Sequence, residues 1–349
     1  MIQTDILIIG AGPTGLFAVF EAGLLKMRCH IIDALPQAGG QCSEIYPKKP
    51  IYDIPGFPEI LAGDLTENLL EQGKQFEPGF TLGERAETIE KLEDGSFIVT
   101  TNKGTKHAAP IVAIAGGLGS FEPRKPDLEN RDFYENNGLN YFIKDPEVYR
   151  NKRVVISGGG DSALDWSIFL TDVAKKVTLI HRRNEFRGAL DSLEKVQTLT
   201  ASGKINLITP AVVTKIGGED HIEHLTVSKN GEELTIDTDY FIPLFGLSPK
   251  LGPIGNWGLE IEKNAIKVDT LDYQTNIPGI FAIGDVNNYP GKLKLILCGF
   301  HEATLMCQAA YKIINPGKKY VLKYTTVSGI DGFDGSRKEA PKAVVKALA

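Results

Sequence analysis

Two glycine-rich turns hold the chemistry most easily read from this chain. The first is Gly10-Ala11-Gly12-Pro13-Thr14-Gly15 and the second is Gly158-Gly159-Gly160-Asp161-Ser162-Ala163. In such a turn one glycine allows the tight bend. A second lets backbone N–H groups approach a pyrophosphate, and a third small residue lets strand and helix pack closely. Asp33 closes the apolar run after the first turn. A carboxylate there accepts hydrogen bonds from a ribose 2′-OH. The second turn has His181 in that register, followed by Arg182, Arg183 and Arg187. Guanidinium groups match phosphate oxygens in bidentate geometry, whereas an acid would repel them. The second unit therefore favours NADP(H) over NAD(H), while the first favours an unphosphorylated ribose, as in FAD or NAD. FAD in the first unit completes a redox chain, because a flavin accepts hydride and passes electrons on singly. Two nicotinamides would support only transhydrogenation.

The elements that must position these residues follow from the apolar pattern. Ile6–Ile9 and 153–157 read as buried parallel strands leading into the turns. Leu16–Leu25 and Leu164–Leu170 read as the helices that follow, with their N-termini facing the phosphates. His30–Asp33 and Val177–Ile180 read as the second strands. Each unit is thus strand, turn, helix, strand, which predicts an α/β fold with two Rossmann-like, three-layer dinucleotide-binding domains.

Composition narrows the field. The chain has 349 residues, 42% of them hydrophobic and 23% charged, so enough apolar surface exists to offset chain entropy. Its 37 glycines exceed the average usage of roughly 7% and suit many tight βα turns. A formal net charge of −6 argues against nucleic-acid binding, which needs a basic face. No apolar run reaches the roughly 18 residues of a membrane span. The opening residues lack a basic region and read as a first strand, not a signal peptide. Four cysteines (29, 42, 298 and 307) form no disulfide scaffold in a chain of this size, so the expected compartment is cytoplasmic. No metal site is expected.

Together the two turns, the run His181 to Arg187 and the late Gly284-Asp285 resemble the thioredoxin-reductase-like flavoproteins. The resemblance covers nearly the whole chain. It implies an FAD domain split between 1–116 and 249–330, with an NADPH domain, 117–248, inserted in it and a tail at 331–349. Chain crossovers are expected near Ala113-Ile114-Ala115-Gly116-Gly117 and 243–249. Homodimers are usual in the group. Asp285 is implied to bind the ribityl chain of FAD.

The dithiol of that group is missing. The stretch 138–146, where thioredoxin reductases carry Cys-x-x-Cys, has no cysteine. Gly39-Gly40-Gln41 is followed by Cys42, but its would-be partner position is Pro47. Cys298 and Cys307, if helical, face opposite sides. The remaining close resemblance is to ferredoxin–NADP⁺ reductases of the thioredoxin-reductase-like type. It is carried by Leu35 to Gln41, Tyr46-Pro47-Lys48, Ile51 to Phe57, Gly252 to Leu259 and Gly299-Phe300-His301-Glu302-Ala303, and by an extension after Pro316.

That resemblance implies further site residues. Gln41 joins Gly10, Gly12, Pro13, Thr14, Gly15, Asp33 and Asp285 in binding FAD. Tyr46 stacks on one flavin face. Tyr324, followed by Thr325 and Thr326, covers the other face, with Phe333 as a rival. Asp53 is placed near the isoalloxazine. Flanking aromatics of this kind add about 0.5–1.5 kcal/mol each beyond area burial. The last helix is expected to open around Gly299–Ala303 and to steady negative charge on reduced flavin. NADPH is assigned to Gly158, Gly159, Gly160, Asp161, Ser162, Ala163, His181, Arg182, Arg183 and Arg187. No side chain is expected to act as a catalytic acid or base, His301 included, because the flavin does the chemistry.

The implied partner is ferredoxin or flavodoxin. Such proteins are acidic, so Lys48, Lys49, Lys292, Lys294, Lys318, Lys319 and Lys323 are candidates for docking. The alternatives are a disulfide reductase, which the missing dithiol disfavours, and a redox sensor that holds both nucleotides without turnover. A flavin monooxygenase lacks its second fingerprint here.

Overall fold

The computed structural model describes residues 1–119, 122–135, 137–248, 250–318 and 325–333. The chain divides into two compact units, Met1–Ser120 with Pro249–Ala349, and Phe121–Ser248. In chain order the elements that matter here are β1 (Ile6–Ile9), α1 (Pro13–Leu24), β2 (Cys29–Asp33), α2 (Ala62–Lys74), β3 (Gly79–Leu82) and β4 (Ile111–Ile114). They continue with β5 (Arg153–Ser157), α3 (Asp161–Phe169), β6 (Lys176–Ile180), α4 (Leu190–Ala201), β7 (Ile205–Ile208), β8 (Tyr240–Pro243), β9 (Ile280–Ala282) and α5 (Ile296–Ile314).

The first unit is built on a parallel sheet in the order β9-β4-β1-β2-β3. Its central strands β1 and β4 are continuous apolar runs, with Ile6, Leu7, Ile8 and all four residues of β4 fully buried. That is the signature of strands covered on both faces. Helix α1 packs against α2 and α5. The second unit repeats the plan with a parallel sheet in the order β7-β6-β5-β8. In both sheets the strand after the glycine turn's own strand lies on one side and the later strand on the other. The turn therefore emerges at a topological switch point, where α/β sheets open a crevice for ligands.

Each unit carries a smaller antiparallel sheet. In the first it is Ala86–Lys91, Phe97–Thr101 and Lys106–Ala109, and Ile2–Gln3 pairs parallel to the last. In the second it is the meander Ala211–Gly217, His224–Lys229, Glu232–Asp237. A buried histidine pair joins the two sheets of the first unit. Thr81 Oγ1 lies 2.8 Å from His30 Nε2 and 2.9 Å from His107 Nε2, and His107 Nδ1 is buried without a partner among the described residues. Burial pulls His30 down to about 4, with His107 beside it adding to the effect.

Two expectations shift in detail. Helices α1 and α3 begin at Pro13 and Asp161, inside the glycine-rich segments, rather than at Leu16 and Leu164. Proline at the first helical position fits, since its missing N–H is not needed there. Helix α5 begins at Ile296, not Gly299. Gly299 sits inside the helix because no side chain fits: a Cβ there would lie 2.2 Å from Thr14 Oγ1.

Candidate functional site

In the first unit, the turn after β1 folds tightly. A Cβ on Gly15 would lie 2.1 Å from the Gly10 carbonyl oxygen, so only glycine lets α1 start this close to β1. A Cβ on Gly12 would meet nothing within 4 Å. Gly12 is also the N-cap of α1 and carries no side-chain cap. The helix start thus faces open space with bare N–H donors, a cradle suited to phosphate oxygens. Asp33, at the end of β2, accepts from Ala11 N–H at 2.6 Å through Oδ2 and from Leu35 N–H at 2.8 Å through Oδ1. Burial pushes its carboxyl upward, and the two N–H donors oppose that. Each oxygen keeps a lone pair for a ribose hydroxyl.

Two more segments converge on this turn. Gly39 N–H donates to the Ala11 carbonyl at 2.8 Å, which brings Gly39-Gly40-Gln41 against the first turn. Gln41 opens a short helix, and its amide is near Gly117. Tyr46 hydrogen-bonds Cys42, and burial first, then the Cys42 and Asp285 groups, push its phenol upward. The Cys42 thiol is pushed up to about 11 by burial, so it is no ready thiolate. From the other side, Thr14 is wedged between Gly284 and Gly299: a Cβ on either would lie 3.0 Å or less from Thr14 Oγ1. Burial raises the Asp285 carboxyl, and Lys292 and Lys294 counter it. Gly10–Gly15, Asp33, Gln41, Tyr46 and Asp285 are therefore brought into one region.

Other first-unit expectations scatter. Asp53 and His301 are exposed. Thr325 and Thr326 are exposed on a four-residue helix, Thr325–Ser328, and Tyr324 lies outside the described residues. Phe333 donates its N–H to Gln75 O at 2.8 Å and packs edge-on to Phe76. Lys26, just past α1, donates to the Asp331 carbonyl and lies over the Phe333 ring. Phe333 thus sits at the end of α1 opposite the glycine turn, about 18 Å away at 1.5 Å per residue. Lys292 needs correction as a docking residue: its side chain is only 4% exposed and pairs with buried Glu302. Lys48, Lys294 and Lys318 are exposed and Lys49 is partly so, while Lys319 and Lys323 lie outside the described residues.

The second unit builds a matching turn with different partners. A Cβ on Gly158 would meet the Leu244 carbonyl oxygen at 2.6 Å, while Gly160 faces open space and caps α3 without a side chain. The segment from His181 folds back over the turn, with Arg187 N–H donating to Gly159 O at 2.7 Å. His181 Nε2 is 3.0 Å from Glu185 O, and its ring packs on Phe186. Burial, and to a lesser degree Arg182, Arg183 and Arg187, hold its imidazole below the ordinary value. The three arginines are exposed, and none pairs with a carboxylate among the described residues. The Asp161 carboxylate, by contrast, accepts from Ala189 N–H at 2.7 Å and so holds the start of α4. The Ala163 N–H donates to the Gly160 carbonyl at 3.0 Å, so the start of α3 presents the backbone N–H groups of Asp161 and Ser162.

Sequence reasoning missed Glu302 and misplaced Lys292. Glu302 was visible only as part of the run Gly299–Ala303, and nothing in its spacing announced a buried carboxylate. All four cysteines are free, and Cys29, Cys42 and Cys307 are buried. Among the described residues, no helix is long and apolar enough to cross a membrane.

Comparison with known proteins agrees with this geometry. The pyridine nucleotide-disulphide oxidoreductase family matches residues 4–303. A ferredoxin–NADP reductase of Flavobacterium johnsoniae is 79% identical over 349 residues, covering all of both chains. Ferredoxin–NADP reductase 1 of Christiangramia forsetii is 74% identical over 353 aligned residues, again covering both chains fully. Among solved structures, the thioredoxin reductase of Lactococcus lactis superposes with a TM-score of 0.77 at 26% identity, over 89% of this chain and 99% of that one. The two-unit α/β architecture, the paired glycine turns and these likenesses agree: the chain belongs to the pyridine nucleotide-disulphide oxidoreductase family, in the group that holds the ferredoxin–NADP reductases.

Proposed function

We propose that this chain is a ferredoxin–NADP⁺ reductase that seats FAD on the first unit and NADP(H) on the second. The observation that carries the reading is the contrast at the two ribose positions. Asp33 stands at one, and a cluster of guanidinium groups with no carboxylate partner among the described residues stands at the other. The stretch 138–146, where thioredoxin reductases carry Cys-x-x-Cys, has no cysteine and three of the four cysteines are buried, which argues against a disulfide reductase.

FAD, once bound, would supply the chemistry that links two-electron hydride exchange to one-electron transfer. This chain's residues bind and orient. The starts of α1 and α3 hold pyrophosphates through backbone N–H groups, and Asp33 accepts the adenosine ribose hydroxyl of FAD. Arg182, Arg183 and Arg187 would hold the 2′-phosphate of NADP(H), with His181 beside them. Tyr46 would stack on one flavin face, Gln41 would help bind FAD, and Asp285 would bind its ribityl chain. Tyr324, with Thr325 and Thr326, is the candidate for the other face. An acidic ferredoxin or flavodoxin docks on Lys48, Lys49, Lys294 and Lys318, despite the net charge of −6. The protein works as a cytoplasmic homodimer.

The test is NADPH-driven cytochrome c reduction with and without ferredoxin. The reading predicts strong stimulation by ferredoxin and no dependence on added thioredoxin. Activity only with a disulfide substrate would reject it.

A further inference from the structure

The Gly284-Asp285 turn is gripped on both sides of its glycine by one buried ion pair. Gly284 holds a positive φ of +77°. Its N–H donates to Glu302 Oε2 at 2.6 Å, and its carbonyl accepts from Lys292 Nζ at 2.9 Å. Lys292 and Glu302 meet at 2.5 Å, with side chains 4% and 1% exposed. Two further donors fill the carboxylate: Asn287 Nδ2 at 2.8 Å on Oε2, and Tyr289 Oη at 2.9 Å on Oε1. Glu302 stands one turn past Gly299, the residue wedged against Thr14 of the first glycine turn. The pair therefore ties α5 to the Gly284 turn and, through Thr14, to the start of α1.

A buried pair of this kind is a poor source of stability. Replacing both members with apolar groups is often neutral, while removing one strands a charge. Its retention calls for another reason, and the geometry supplies one. The pair fixes the backbone that aims Asp285, and it places a cation one residue from that carboxylate.

We propose that Glu302 and Lys292 are a positioning pair for the flavin, fixing the Gly284-Asp285 turn and setting the charge beside it, and so controlling FAD affinity and flavin reduction potential. The inference rests on the reading that the first unit seats FAD. It makes a signed claim that mere packing would not. In Glu302→Gln the shape and the acceptor for Gly284 N–H persist, but one negative charge is gone. Lys292, still beside Asp285, is left in excess and favours the more negative reduced flavin, so the potential rises. In Lys292→Met the carboxylates are left in excess, so the potential falls.

The experiment measures reduction potential by dye equilibration and FAD affinity by titrating apoprotein, for both single variants and for the double variant. Each single variant is expected to shift the oxidised-to-reduced equilibrium about tenfold, in opposite directions, which is about 30 mV for a two-electron couple. Each should also weaken FAD binding tenfold or more. The double variant should return the potential to within threefold of the wild-type equilibrium, with FAD still bound at least threefold more weakly. Shifts of the same sign, or none, would overturn the proposal. If a single variant does not fold, as judged by circular dichroism of the apoprotein, the double variant decides, because it leaves no stranded charge. Wild-type FAD affinity in the double variant would then overturn it. A wild-type protein that takes up no FAD would instead reject the reading of the site itself.

Discussion

The two units share a strand order and a turn yet differ in what stands one strand away. In the first, Asp33 is held by the N–H groups of Ala11 and Leu35 and faces the turn as an acceptor. In the second, His181 is held by the Glu185 carbonyl, and three arginines project beside it. The backbone of each turn offers the same thing, an uncapped helix start at a sheet switch point. On the proposed function, architecture would hold the pyrophosphate and side chains would choose the ribose. A second difference lies in packing. Gly15 of the first unit has its counterpart in Ala163 of the second, whose Cβ is accommodated against Gly158.

That contrast is broken most severely by Gly15→Ala. The added methyl would lie 2.1 Å from the Gly10 carbonyl oxygen. Relieving it should cost about 3 kcal/mol, or roughly a hundredfold in FAD affinity. Purified variant protein is expected nearly colourless by its absorbance ratio, and full flavin content would contradict the packing argument.

Acid should separate the units next. His30, on the first unit's sheet, is pulled down to about 4 in the folded protein from an ordinary value near 6.5. The unfolded chain therefore binds more protons between those values, and stability falls as pH drops from 6.5 to 4. His30 alone contributes about 3 kcal/mol to that loss. Burial raises Glu21, Asp33 and Asp285 in the same unit, which offsets part of this loss. The check is therefore His30→Asn: hydrogen exchange in the first unit should lose less protection between pH 6.5 and 4 than in the wild type, with the second unit unchanged. An unaltered pH profile in the first unit would contradict it. Burial also lowers His107, which adds in the same direction.

Nucleotide choice is the next contrast. Arg182→Ala should raise the KM for NADPH by the loss of charged hydrogen bonds, about 1.5–3 kcal/mol, and leave NADH nearly unchanged. Steady-state kinetics with both coenzymes checks this, and equal effects would remove the phosphate role. The mildest change is Ala163→Gly, which makes the second turn like the first. It should lower stability by about 1 kcal/mol or less, from helix propensity alone. A thermal melt measures it, and a large drop would show that the Ala163 methyl does more than fill space.

Much of this was legible in one dimension. The glycine spacing, the register of Asp33 against His181, and the late Gly284-Asp285 need only local pattern, because strand, turn and helix are contiguous in the chain. What escaped depends on burial and on partners from distant elements. Lys292 reads as one more surface lysine until Glu302, on a different element, closes over it. Asp161 reads as part of a phosphate turn until Ala189 takes its carboxylate. The start of α5 was misplaced because Gly299 resembles a helix boundary, when its role is to admit Thr14. A glycine required by a close approach and one required by a turn look alike in sequence.

The central claim, that NADPH electrons pass through a flavin to a one-electron partner without a dithiol, is tested most directly by anaerobic rapid mixing. Purified yellow protein mixed with NADPH should lose its flavin absorbance quickly and with NADH slowly. Oxidised ferredoxin should then restore the colour. A protein that cannot be loaded with FAD, that bleaches equally with both coenzymes, or that recovers only with a disulfide would contradict the account.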